Sequence, residues 1–354
     1  MMDNTQGLDE SPGAAVPVED LRSITEAFDL GEVVEGPDYL PAGLMNRNWR
    51  LESKRGCFAL KQVRDTSAGD ADRNLAAVSH LASDGVPVCA PVATVSGGFF
   101  VDAPGGRYCL TDWVDGHHIL GNDLELDGVR RLGGVLGQIH QGLRTAAPKA
   151  GFPEAPAQMK ATVTDAGKAA AEAERFQEII ARSPVVSAFD RRVSELLDQR
   201  LILLDKYASS RPKDEVARGP FGWTHGDFQH LNVLWGDTGE VSGVLDWDRI
   251  RVRPFGEEVA RSATLLFGTH GGGLDLERVA AFVAGYRTEV EVRGEELADA
   301  VERLWWKRMC DYWHLEFHYD RDDHSCDHLF FSASDFLAWW CGHREDVVQA
   351  FTAG

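Results

Sequence analysis

Nowhere does the chain run about 18 apolar residues in a row, so no membrane-spanning helix is expected. The opening stretch MMDNTQGLDESPGAAVP carries acids and lacks an apolar core. Residues 1–17 therefore read as a disordered tail, not a secretory leader. Cysteine is sparse and scattered: Cys57, Cys89, Cys109, Cys310, Cys326 and Cys341 include no C-x-x-C pair. Free thiols in a reducing cytoplasm are expected, not a disulfide framework. Bases are short as well. The 36 Lys and Arg face 56 Asp and Glu, a net charge of −20. Neutralising nucleic-acid phosphates needs basic patches, so nucleic-acid binding is not expected. A negative field suits a cationic small molecule, or simply solubility. What is present is ordinary for a globular chain. Its 354 residues are 44% apolar and 26% charged, long enough for two lobes with separate cores.

Periodicity predicts the elements. Leu21, Ile24 and Phe28 share one face of a helix over 18–31. Strands are expected at 33–40, 48–53 and 57–63. The last, CFALKQV, puts Lys61 inside an apolar strand, which is costly unless the ammonium is paired. A short helix follows at 70–82. Strand candidates at 88–95, 99–102 and 108–111 follow, six candidates in all for an expected five-stranded sheet. Helices are expected at 127–143, 159–182 and 186–208, and an aromatic-striped helix at 294–317. The helix at 127–143 holds five glycines, each costing about 1 kcal/mol against Ala, so close helix packing is expected to compensate. The chain then divides into a nucleotide-binding lobe at 18–113 and a larger lobe at 114–354, with a helical insertion at 150–215.

The chemistry concentrates in WTHGDFQHLNVLWGDTGEVSGVLDWD, residues 223–248. Asp227 precedes Asn232 by five positions, and Asp246 follows fourteen later. Val233–Trp235 and 241–245 read as strands around a Gly-Asp-Thr-Gly-Glu turn. Such a hairpin returns the chain, so Asn232 and Asp246 converge. Phosphoryl transfer needs that kind of set: a carboxylate for the acceptor hydroxyl, hard oxygen ligands for Mg²⁺, and a cation for the phosphates. His225 reads as a brace for the loop.

The interval between Asp227 and Asn232 is that of H-R-D-x-x-x-x-N in protein kinases. HGDFQHLN followed by VLDWD resembles the aminoglycoside phosphotransferase and choline kinase family. These are small-molecule kinases of a bilobal α+β, protein-kinase-like fold. The resemblance spans roughly residues 30–270. It implies Asp227 as catalytic base, Asn232 and Asp246 as Mg²⁺ ligands, and Lys61 on the phosphates of ATP or GTP. PAGLMNRNW lacks the kinase G-x-G-x-x-G but resembles a G-x-x-N turn through Gly43 and Asn46. LTDWVDG resembles the hinge, where backbone groups of Asp112 and Val114 meet the purine. The family's helix Glu is missing, with Asp72 and Asn74 the nearest candidates. Asp248 is assigned no role.

The resemblance implies a hydroxyl acceptor on an antibiotic of aminoglycoside, nucleoside or peptide type. A metabolite kinase acting on homoserine, choline or a methylthio-sugar is the alternative. A non-catalytic, nucleotide-binding pseudokinase is a third, countered by the retained Asp227, Asn232 and Asp246. C-terminal helices line the acceptor pocket in this family, which points to Asp311, Trp313 and Glu316. His318, His324, Cys326 and His328 are zinc-ligand types, but H-x5-H-x-C-x-H matches no common structural zinc pattern.

Overall fold

The computed structural model describes residues 15–41, 46–64, 67–213 and 216–353. Most of the expected N-terminal tail, and Gly43 in the expected phosphate turn, lie outside the described residues. At the tail's end, Val16 packs on the core of the sheet.

Five antiparallel strands form that sheet in the order β1-β2-β3-β5-β4. They are β1 (Val33–Leu40), β2 (Arg47–Ser53), β3 (Gly56–Val63), β4 (Val101–Ala103) and β5 (Gly106–Asp112). Alternation decides its faces. Trp49 and Leu51 of β2 and Phe58 and Leu60 of β3 are buried with Leu110 of β5. Helix α1 (Val18–Ala27) covers that face with Ile24, followed by Phe28 and Leu30. Lys61, next to Leu60, is thereby turned to the opposite face.

The strand expected at 88–95 does not form. Its Pro91, and Pro87 just before it, cannot donate to a ladder, which is why prolines are confined to sheet margins. The segment runs beside β5 with only a Pro91–Thr111 bridge. Val92 N–H donates to Leu110 O at 2.9 Å, and Asp112 N–H to Ala90 O at 2.8 Å. The five strands come instead from the APGG turn, which splits β4 from β5.

Helix α2 (Ala68–Ser83) begins at a Ser67 cap and buries Ala77, Val78 and Leu81 in the core of the helical part. It packs there on α3 (Leu126–Lys149). The glycines of α3 do the expected work against α7 (Leu276–Arg287). A Cβ on Gly133 would strike the Phe282 carbonyl, and one on Gly285 the Arg130 carbonyl. Only bare backbone allows that approach.

Helices α4 (Ala166–Arg182) and α5 (Ala188–Tyr207) form the expected inserted pair. Four short strands follow: β6 (Phe221–Thr224), β7 (Val233–Trp235), β8 (Val241–Val244) and β9 (Arg251–Pro254). β7 and β8 are the expected hairpin; β6 pairs with β9. Helix α6 (Phe255–Leu266) leads away from them. The single helix expected over 294–317 is broken. Helix α8 (Gly294–Met309) stops, and Asp311 accepts from Trp313 N–H at 3.3 Å to start α9 (Trp313–Leu315). A π-helical turn, Glu316–Asp320, comes next, then α10 (Asp327–Gly342) and α11 (Arg344–Thr352).

Candidate active site

Three backbone devices gather the polar residues of 223–248. In the hairpin Val233 faces Val244, and Leu245 N–H donates to the Asn232 carbonyl at 2.9 Å. Asn232 and Asp246 therefore flank the same end of it. Asp246 adopts a left-handed conformation, φ 59° and ψ 70°, which Asp tolerates better than most side chains. The turn packs the Trp247 ring 4.5 Å from that of His225. Gly226, at φ 86°, passes so close to the Arg249 carbonyl that any Cβ would collide with it.

His225 is buried and braces the loop, as its position suggested. Asp227 N–H donates to its Nδ1 at 3.1 Å, and its Nε2 meets Leu245 O at 2.9 Å. Nδ1 is thus an acceptor and Nε2 a donor, a neutral ring. Burial lowers its pKa and so favours that form. Beneath the loop lies Glu258 of α6. It accepts from His225 N–H at 3.1 Å, from Gly226 N–H, and from His140 Nε2 at 2.7 Å. His140 Nδ1 in turn meets the Tyr286 hydroxyl at 2.8 Å. Burial alone would raise the Glu258 pKa. His140 and the loop donors outweigh it and hold the carboxyl below its ordinary range.

Asp227 is held on two sides. Arg261 Nη2 donates to its Oδ1 at 2.8 Å. Asn232 Nδ2 donates to its carbonyl at 2.8 Å and lies 3.4 Å from Oδ2. With its nitrogen so engaged, Asn232 directs its amide oxygen elsewhere.

Lys61 has two carboxylate partners. Its Nζ is 2.6 Å from Asp248 Oδ2 and 3.2 Å from Asp246 Oδ1. Burial works against the ammonium, but Asp248 and Asp246 raise it above its ordinary value. Burial likewise opposes the Asp246 charge, and Lys61 overcomes it, so that carboxyl titrates low. Asn46 donates to the same Asp248 oxygen at 2.7 Å and accepts from Arg64 N–H at 3.0 Å. The helix acid missing from α2 is therefore replaced from across the cleft. Asp72 is exposed, and Asn74 is buried at the cleft wall. Asp248 is the residue sequence reading missed; its signal was the second acid of Asp-Trp-Asp. An ammonium bridging two carboxylates marks a place where a cation is at home. Asp246, Asp248 and Asn232 offer the hard oxygens that suit Mg²⁺.

A cleft of 540 Å³ opens here, with Asn46, Asn74, Phe152, Trp223, Asp246 and Asp248 among its lining. It extends from Asp246 and Asp248 toward α2; Lys61, Asp227, Asp112 and Val114 do not line it. The hinge is clamped to the hairpin instead. His117 and Trp235 exchange backbone bonds of 2.9 and 3.0 Å. The Asp112 N–H is spent on Ala90, so that residue has only its carbonyl to offer a base. Among the described residues the Val114 N–H has no hydrogen-bond partner.

On the other side of Asp227 stands a pair of arginines that the sequence did not single out. Arg308 donates from Nη2 to Thr264 Oγ1 at 3.1 Å and stacks 5.5 Å over Phe336. Burial and the nearby Arg261 push its pKa down to about 10. Arg261 Nη1 and Arg308 Nε are buried without a hydrogen-bond partner among the described residues. Three residues on from Arg308, Asp311 caps the turn carrying Trp313. That indole stacks on His314 at 3.9 Å and meets Phe317 edge-on at 5.5 Å. Glu316 opens the π-helical turn.

The model of the phosphotransferase enzyme family matches residues 39–294. Among curated proteins, homoserine kinase of Burkholderia mallei is 34% identical over 102 residues, 29% of this chain and 30% of that protein. The match thus spans less than a third of that relative. A solved aminoglycoside phosphotransferase from Alicyclobacillus acidocaldarius superposes with a TM-score of 0.58 at 17% identity, covering 96% of each chain. An amicoumacin kinase in complex with AMP-PNP and Ca²⁺ gives 0.56 at 18% identity, covering 92% of each. These likenesses establish the expected α+β, kinase-like fold.

Proposed function

Since the chain belongs to the phosphotransferase enzyme family, we propose that it moves the γ-phosphate of ATP, or of GTP, onto a hydroxyl of a small molecule with Mg²⁺. The gathering of Asp227, Asn232, Asp246 and Lys61 supports this reading. Asp227 orients the acceptor hydroxyl and receives its proton, with Arg261 fixing one carboxylate oxygen. Asn232 and Asp246, aided by Asp248, hold Mg²⁺, which when bound neutralises phosphate charge. Lys61 turns from the carboxylates to the phosphates. Asn46, which lines the cleft beside Asp248, faces them too; the contribution expected of Gly43 lies outside the described residues. The Asp112 carbonyl and the Val114 N–H meet the purine edge. Asp311, Trp313 and Glu316 form a wall of the acceptor pocket. On this reading the partners are a nucleotide and a small acceptor, and the reaction is cytoplasmic. Among the described residues no helix is long and apolar enough to cross a membrane.

Two acceptor classes follow from the family. The first is an antibiotic hydroxyl, phosphorylated as a resistance reaction, and the acidic chain suits a cationic one. The second is a small metabolite. The Arg261 and Arg308 pair favours this second class, because the positive charge they gather next to Asp227 suits an acceptor bearing a carboxylate. The likeness to homoserine kinase points the same way. The test is ADP release over a panel of antibiotics, amino alcohols and hydroxy acids. Asp227→Ala should abolish transfer while nucleotide still binds. Near wild-type turnover by that variant would refute the assignment.

A further inference from the structure

Away from the cleft, the π-helical turn and the start of α10 bring together His318, His324 and Asp327. We propose that these three side chains form a Zn²⁺ site. His318 Nδ1 lies 2.8 Å from Asp327 Oδ1 and 3.0 Å from His324 Nδ1. His324 Nδ1 lies 3.6 Å from Asp327 Oδ2. Three ligands of a tetrahedral zinc, at about 2.0–2.2 Å from the metal, stand roughly 3.3–3.5 Å apart. The observed separations straddle that spacing, with one Asp327 oxygen facing each histidine, and one ligand atom from each residue lies within 4.8 Å of the others.

Protons satisfy the cluster only if one His318 N–H is shared between the Asp327 carboxylate and the His324 lone pair. A ring nitrogen carries either one proton or one lone pair. If His318 Nδ1 donates to Asp327, it has no lone pair for His324. If it accepts from His324, it faces the Asp327 carboxylate lone pair to lone pair. A divalent cation removes the conflict, because all three atoms then supply lone pairs to one centre. Two imidazoles and a carboxylate select zinc over Mg²⁺, which prefers oxygen ligands throughout. The fourth tetrahedral position is left for water.

The surroundings support a built site. The His318 ring stacks on Phe189 of α5 at 4.3 Å. The neighbouring Tyr319 donates to Asp190 at 2.8 Å, and Asp320 pairs with Arg175 of α4 at 2.8 Å. The π-turn, an element that recurs at functional sites, is thus pinned to the inserted helices. The outer nitrogen of His324 has Asp322 at 3.5 Å, where a ligating histidine often keeps a carboxylate. Bound zinc ties the turn after Asp311, Trp313 and Glu316 to the first residue of α10, and so stiffens the proposed acceptor wall. The ligand spacing is H-x5-H-x2-D. Counting only histidine and cysteine, which brought in Cys326 and His328, hid it.

The test uses the full-length protein, freed of metal by dialysis against a chelator and kept in excess Mg²⁺. Zn²⁺ is titrated in competition with a chromophoric chelator, and Co²⁺ is added separately for its visible spectrum. One equivalent of Zn²⁺ should bind, and Co²⁺ should give the intense bands of a four-coordinate site. His324 is 58% exposed, so His324→Ala should fold, which circular dichroism checks. Its zinc affinity should fall by more than the roughly 10–100-fold typical of an outer-shell change. Asp327→Asn should weaken binding too, while Cys326→Ser and Asp246→Asn should leave it intact. Failure of the wild type to take up zinc overturns the proposal, as does undiminished binding by folded His324→Ala.

Discussion

Glu258→Gln tests whether the loop under Asp227 rests on a buried carboxylate. Glu258 takes three donors with two oxygens: His140 and His225 N–H on Oε2, and Gly226 N–H on Oε1. The best amide rotamer keeps its carbonyl at the Oε2 position. Its NH₂ then faces the Gly226 N–H, donor against donor. A buried unsatisfied donor costs about 1–3 kcal/mol. The other two bonds lose their charge assistance, about 1 kcal/mol each. The sum is roughly 3–5 kcal/mol, a large part of the roughly 5–15 kcal/mol typical of a folded chain. Urea unfolding followed by tryptophan fluorescence reads this directly. Turnover should fall as well, because the displaced segment carries His225, Gly226 and Asp227. The acid limb of stability supplies a second readout. A carboxyl with a depressed folded pKa stabilises above its unfolded value, and that stability is lost as pH falls through the folded value. Glu258→Gln should flatten this loss at acid pH. A change under about 1 kcal/mol, with turnover and acid sensitivity intact, would refute the reasoning.

Other perturbations probe the remaining contacts. Lys61→Ala removes a charged donor from the proposed phosphate site, so nucleotide affinity in calorimetry should weaken about 10–100-fold; unchanged affinity would sink that role. Asp246→Asn should abolish the Mg²⁺ dependence of nucleotide affinity, and a retained dependence would remove Asp246 from the metal set. Arg308→Met should raise KM for a carboxylate-bearing acceptor about 10-fold or more, with a neutral alcohol little affected; equal effects would argue against a carboxylate partner. Burial pushes His314 down to about 4. Between pH 6.5 and 4 the unfolded chain takes up a proton there that the folded chain refuses, so stability should fall as pH drops through that window. His314→Gln should shallow the fall, as read by thermal unfolding at each pH.

The sequence made the hairpin legible because two apolar runs flank a turn with Gly at both ends, and Asn232 and Asp246 close it. Lys61 was legible because a lysine in CFALKQV is out of place without a partner. Which partner was not. The eye goes to the helix that follows, yet on α2 Asp72 is exposed, Asn74 is buried and Asp70 pairs with Arg73. The real partners lie 185 and 187 positions away. Local periodicity contains nothing about such a contact. The strand expected at 88–95 failed for a cause visible in the chain, since Pro87 and Pro91 remove two donors. The break at Asp311 was hidden because an aromatic stripe continues at helical spacing through a capped turn. Arg261 and Arg308 were missed because each looks like a solvated surface arginine. Only folding places one on Asp227 and the other against Phe336.

Pairing Lys61 with Asp246 and Asp248, and not with an acid of α2, changes how the cleft is held together. That helix buries Ala77, Val78 and Leu81 with α3, so it belongs mechanically to the helical part. The sheet meets that part through Lys61 and Asn46, both bonded to Asp248, and through Lys61 on Asp246. A nucleotide arriving with Mg²⁺ need not leave any of these charges bare. The cation can take over the carboxylates as the phosphates take over the ammonium, so each group exchanges one counter-charge for another. Desolvation is already met for the half-buried lysine and its two acids, which lowers the cost of assembling the loaded site. A lysine tethered to a helix acid would hold its orientation throughout; here its orientation is set by Asp246 and Asp248, the carboxylates proposed to hold the metal.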